Sequence, residues 1–159
     1  SLYAVGTGTS ISNVAVIAGA DDGIEFFGGT VSVTNFYAEN IEDDAIDWTE
    51  GWNGTLDSAF VTNSVEFSTA VEADGTASNP TLNNLTINTT TGGATLGIQM
   101  KSASTATING FSATGFSTLF EFAGSSTAAE LVIDGAAANE GTAYSSSTTV
   151  EGDFAWINN

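Results

Sequence analysis

The sequence predicts an all-β chain wound as a parallel β-solenoid of about seven coils. Three observations predict it. A short apolar phrase returns at intervals of 22 to 27 residues. Each copy alternates apolar and polar residues with period two and is rich in β-branched and aromatic side chains. No apolar stripe of period 3.6 persists, and glycines punctuate the whole length. A single coil cannot bury its apolar side. Coils stacked at the ~4.8 Å strand spacing share a continuous core, and seven of them rise roughly 30 Å. An antiparallel sandwich would not explain why residues at one phase stay alike from repeat to repeat.

The first phrase reads SISNVAV at 10–16, SVTNFYA at 32–38, TLDSAFV at 55–61, TLNNLTI at 81–87, ATINGFS at 106–112, LVIDGAA at 131–137 and TVEGDFA at 149–155. Its leading apolar residues are Ile11, Val33, Leu56, Leu82, Ile108, Ile133 and Val150. Asn13, Asn35, Ser58 and Asn84 share one phase within it. Asparagine is poor in strands but tolerates left-handed backbone, so this row predicts a ladder of side-chain amides at a coil bend. N-x-S/T tripeptides occur at Asn53, Asn84 and Asn88. Asn84 falls in that ladder, which is expected to face inward and to be closed to modification.

The second phrase lies between copies of the first: GIEFF at 23–27, AIDWT at 45–49, AVEAD at 70–74, GIQMK at 97–101 and LFEFA at 119–123. Alternation turns Ile24 and Phe26, Ile46 and Trp48, Val71 and Ala73, Ile98 and Met100, and Phe120 and Phe122 inward. Glu25, Asp47, Glu72, Gln99 and Glu121 then form one outward column, with Phe27, Thr49, Asp74, Lys101 and Ala123 as the next. Residues 1–159 are expected to form one domain, with 142–159 as an irregular cap.

The phrases DDGIEFFGGTV, DDAIDWTEGWNGTL and AVEADGTASNPTLNNLTI resemble those of secreted bacterial right-handed parallel β-helix proteins of the hypothetical surface or lipoprotein type. The resemblance spans about residues 2 to 123. It implies a right-handed β-helix exported from the cell and placed at the bacterial surface, and it implies no established activity. Such proteins carry coils before a segment like SLYAVGTGTS, so the chain is expected to be the ordered or processed part of a longer protein.

Composition narrows the function. Nineteen Asp and Glu face Lys101 alone, with no Arg or His, for a net charge of −18. Binding to a phosphate backbone or to anionic lipid runs on Lys and Arg, so nucleic acid and membrane surfaces are excluded as main partners. No run of ~18 apolar residues is present to span a bilayer. Without His or Cys there is no Ser/His or Cys/His nucleophile. The paired Asp21/Asp22 and Asp43/Asp44 could supply the two carboxyl groups of a glycosidase. An acidic polysaccharide also needs cationic residues to hold it, and Asp74 and Glu121 are expected to neutralise Lys101. Catalysis is therefore not expected.

Metal binding suits the carboxylates better. Asp21, Asp22, Glu25, Asp43, Asp44, Asp47, Glu72 and Asp74 fall at related phases of successive coils, close to Glu42 and Glu50. Equivalent positions approach to ~5 Å in a stacked sheet. Hard oxygen donors without His or Cys select Ca²⁺ or Mg²⁺ over zinc, and Ca²⁺ is the expected ion. A solvated acidic face that blocks edge pairing is the commoner reading of such a charge run, with metal binding beside it. Phe27, Tyr37 and Trp52 could stack on sugars, although burial is the commoner fate of aromatics.

The expected role is a non-enzymatic, extracellular solenoid subunit of a surface layer or filament, stabilised by calcium and assembled end to end. Phe154, Trp156 and Ile157 are expected to form an apolar surface at one pole, complementary to an open strand edge at the other. A carbohydrate-binding or polysaccharide-degrading module remains the alternative, with glycans as partners.

Overall fold

A computed structural model describes residues 1–158. One sheet holds six strands in the order β1 (Leu2–Tyr3), β3 (Ile24–Phe27), β5 (Ile46–Thr49), β7 (Thr69–Ala73), β9 (Leu96–Met100) and β11 (Thr118–Phe122). The other holds β2 (Ser10–Ile17), β4 (Ser32–Glu39), β6 (Thr55–Asn63), β8 (Thr81–Thr89), β10 (Ala106–Thr114), β12 (Leu131–Ile133) and β13 (Ala136–Ala137). The chain visits the two sheets alternately. Every neighbouring pair is parallel except the last, β12 with β13. The result is an all-β solenoid of about five turns.

Register follows the repeated phrases. Ile11, Val33, Leu56, Leu82, Ile108 and Ile133 stand in one column. In the short strands, Ile24, Ile46, Val71, Ile98 and Phe120 stand in another. The inward residues of the middle coils are sealed, with Phe26, Ile46, Trp48, Val71, Ala73, Ile98 and Met100 all inaccessible to solvent. Trp52 stacks on Phe26 with ring centroids 3.8 Å apart, and its Nε1 donates to the Val31 carbonyl at 3.0 Å. Gly54 makes this possible: any Cβ there would collide with the Val31 carbonyl and the Trp52 indole.

Each long strand turns a corner. Asn13, Asn35, Ser58 and Asn84 have φ of 57°, 59°, 62° and 53°, and Gly110 continues the row at 77°. One left-handed residue resets the alternation, so inward positions run Val33, Phe36, Ala38 and Leu56, Ala59, Val61. Asn35 Nδ2 donates to Asn13 Oδ1 at 2.9 Å, which is one rung of the expected ladder. Ser58 interrupts it. The row faces outward, contrary to the sequence expectation, because the left-handed corner turns the apolar residues on either side of it into the core. Asn84 Oδ1 is engaged differently, accepting from the Thr148 backbone and hydroxyl at 3.2 and 3.0 Å.

The last two of the seven expected coils do not form. After the three residues of β12, left-handed Asp134 and Gly135 reverse the chain into antiparallel β13. TVEGDFA enters a 3-10 helix, Glu151–Asn158, and Val150 is 56% exposed instead of joining the core column. The tail runs back across the outside of the second sheet. Ser146 N donates to the Phe111 carbonyl on β10 at 2.9 Å, and Thr86 Oγ1 on β8 donates to the Thr149 carbonyl at 2.8 Å. Phe154 then packs on Phe60 of β6 and Tyr37 of β4, with centroids 6.2 and 5.5 Å away. Trp156 and Ile157 pack against the same cluster. These three apolar residues therefore lie on the flank and not at a pole, because the outward Tyr37 and Phe60 offer them an apolar seat.

The two poles differ. At the pole beyond β11, Glu140 accepts from the Leu119 and Phe120 backbone at 2.7 and 2.8 Å, and Tyr144 meets the Phe120 ring edge-on. At the β2 pole, Ile11, Val14 and Val16 are only partly buried, whereas their register partners Val33, Phe36 and Ala38 are fully buried. Ile46→Asp is expected to abolish the cooperative thermal transition, since an unpaired charge at this sealed position costs at least about 3 kcal/mol. Circular dichroism through a melt reads it. An unchanged melt would contradict the inward placement.

Candidate functional site

Parallel register stacks like on like, and on the outer face of the first sheet that means carboxylates. Glu25 pairs with Asp47, Asp47 with Glu72, and Gln99 with both Glu72 and Glu121. The column predicted from alternation is thus in place. Lys101 bonds Glu72, Nζ to Oε2 at 2.6 Å, and not the expected Asp74 and Glu121. Those two are occupied elsewhere. Asp74 Oδ1 takes the Gly75 N–H of its own turn at 2.6 Å, and Glu121 takes the Gln99 amide.

The repeated Asp-Asp pair has a structural half. Asp22 Oδ1 accepts from the Asp44 backbone N–H at 3.2 Å. Asp44 Oδ1, one coil on, accepts from the Thr69 N–H and hydroxyl, both at 2.8 Å. The second Asp of each pair pins the start of the next coil, which is why the phrase recurs one coil later.

Of the eight acidic residues singled out as metal ligands, five come together. Asp21, Asp22 and Asp43 bring one carboxylate oxygen each within 4.8 Å of one another, and so do Asp22, Glu25 and Asp47. Asp22 belongs to both groups. Asp44, Glu72 and Asp74 are held by the backbone, Lys101 and a turn, and lie outside both groups.

Electrostatics follow from this crowding. Burial pushes the Asp47 carboxyl up to about 8, with Glu72, Asp22, Glu25 and Asp44 adding repulsion. Asp22 is raised to about 6, chiefly by burial, against which the Asp44 N–H bond acts. Burial also raises Asp43, with Asp44 and Asp21 reinforcing it, and raises Glu72 in spite of the Lys101 contact. Asp47 is 9% exposed, and its Oδ1 is buried with no hydrogen-bond partner among the described residues.

Tyr37 and Trp52 are buried. Phe27 is half-buried, its ring stacked 4.2 Å from that of Tyr3, which is 67% exposed. Sequence reasoning missed a second inter-coil pin at Asn63. That side chain is 1% exposed and accepts the Ile41 N–H at 3.1 Å. Its signal was a polar residue closing a strand at the phase where the next coil has Thr89.

A family model described as a pectate-lyase-like β-helix domain matches residues 1–155. The chain belongs to that family. No curated protein and no solved structure matches it. The pectate-lyase-like family includes polysaccharide-active enzymes, and its match extends through the tail as far as residue 155, beyond the coils that carry the repeats.

The pH dependence of stability has a definite sign. An acid whose folded-state pKa lies above its unfolded value binds more protons when folded, so stability falls as pH rises between the two values. For Asp47 that window runs from the ordinary 3.8 to about 8, and for Asp22 from 3.8 to about 6. In chelator, the melting temperature is expected to fall from pH 5 to pH 8, and Asp47→Asn is expected to flatten the upper part of that fall. Differential scanning calorimetry of both chains checks it.

Proposed function

We propose that the chain is a non-enzymatic structural module of an extracellular assembly in which a further strand edge covers the β2 pole, supplied by a second copy when these 159 residues stand alone. One observation carries this reading. The apolar column is closed at the β11 pole by the chain's own Glu140 and Tyr144, and left part-open where Ile11, Val14 and Val16 stand. An uncovered apolar edge of parallel strands favours pairing with another strand edge. Two open poles meeting face to face are related by a two-fold axis, so the contact is isologous and closes as a pair. Higher-order layers or filaments then require a further contact on the flanks. The wild-type chain is expected to sediment as a dimer at high concentration. Ile11→Lys is expected to be monomeric with unchanged circular dichroism, since the long side chain can reach water from the open pole. A wild-type chain that remains monomeric over a wide concentration range sinks the reading.

A second reading, a polysaccharide-active module, has its own support. Asp47 is pushed up to about 8 and its neighbour Asp22 to about 6, and glycoside cleavage uses one protonated and one ionised carboxyl group. The stacked Tyr3 and Phe27 rings stand on the same outer face, where a sugar ring could lie. Against it, Lys101 is the chain's single basic side chain and is ion-paired with Glu72. A glycan array combined with turnover assays on neutral and acidic polysaccharides separates the readings. Cleavage lost in Asp47→Asn would favour the second.

A further inference from the structure

We infer that Asp22 and Glu25 of one coil and Asp47 of the next form a binding site for one hard divalent cation, of the calcium class, that staples the two coils together. Three observations converge. The three side chains present carboxylate oxygens within 4.8 Å of one another, near enough to share an ion. Asp47 is nine-tenths buried, and its Oδ1 has no hydrogen-bond partner among the described residues, although buried carboxylate oxygens in folded proteins are otherwise satisfied. The basic side chain that could serve as counter-ion, Lys101, is spent on Glu72, the next residue of the column. A cation would provide the missing partner and offset the repulsion among three carboxylates.

The donor set selects the ion class. Three carboxylates with no nitrogen or sulfur donor suit a hard cation, and ligands drawn from two separate strands suit the flexible coordination of calcium better than the strict octahedron of magnesium. Water and a second oxygen from each carboxylate complete the shell in such sites. The neighbouring group of Asp21, Asp22 and Asp43 has no orphaned buried atom, so the assignment rests with the Asp47 group. The site is independent of the pole contact, because all three ligands lie within one chain.

Isothermal titration of the chelated, full chain with calcium chloride tests the proposal, alongside melting temperatures in calcium and in sodium chloride at matched ionic strength. One saturable calcium per chain is expected, with a melting-temperature rise larger than that in sodium. Asp47→Asn is close to isosteric and introduces no charge at this buried position, so it is expected to fold. It should weaken calcium binding more than about tenfold, a loss at least as large as that from disturbing a ligand's supporting contacts. Glu25→Gln, at a half-exposed position, is expected to weaken binding too and serves if the first variant fails to fold. Asp57→Asn, on the other sheet, is expected to bind as wild type does. No heat beyond dilution in the wild type, or wild-type affinity in both Asp47→Asn and Glu25→Gln, overturns the site. Equal melting shifts in calcium and sodium overturn it as well. Sedimentation with and without calcium reads the pole contact separately.

Discussion

The in-register stacking of parallel coils is the constraint on which the rest of this structure depends. It places each residue beside its counterpart one coil away, at the strand spacing, on both faces of both sheets. For the inward faces the consequence is favourable. Like apolar side chains meet, and Ile46, Val71 and Ile98 form a continuous sealed column. For the outward face of the short strands the same rule sets carboxylate on carboxylate. Glu25, Asp47 and Glu72 cannot move apart without breaking the register that holds Phe26, Trp48 and Ala73 inside.

That coupling gives the acidic face its electrostatic character. A carboxylate at the end of a mobile loop would turn into water. Asp47 is held between two strands of one sheet and loses solvent on account of its neighbours, so it retains its proton to about 8. The pectate-lyase-like fold thus creates a strained electrostatic patch directly over its best-packed interior. Asp44 shows the other outcome for a crowded carboxylate. It is also buried, but two donors from Thr69 satisfy one of its oxygens.

Much of this was legible in the sequence because a solenoid writes its geometry as a period. Six of the seven leading residues of the first phrase, Ile11 to Ile133, stand in one register, and so does the whole acidic column. The left-handed corner was legible at Asn13, Asn35 and Asn84 because asparagine is among the few residues other than glycine that tolerate such φ values. What failed was whatever lacked a repeat. Val150 matched the phase of the phrase, but the reversal at Asp134 and Gly135 had already turned the chain out of the stack. The partners of Lys101 depended on which carboxylates the backbone had already engaged, and periodicity carries no information about that. Five of the eight acidic candidates converge and three do not for the same reason. Register brings residues to one neighbourhood, and local turns then decide which oxygens remain free.

The returning tail changes how such a stack can come apart. A solenoid held only by neighbour-to-neighbour contacts frays from its ends one coil at a time. Here Ser146, Thr148, Thr149 and Phe154 touch β10, β8, β6 and β4 in turn, across a sequence separation of 64 between Asn84 and Thr148 and a still larger one between Tyr37 and Phe154. The coils that carry β4 to β10 are tied by that band as well as by their neighbours, and the β2 coil lies outside it. Its seat is built from those strands together, so its contacts depend on several coils at once. The chain thereby exchanges the gradual unravelling of a one-dimensional array for something nearer a single latch.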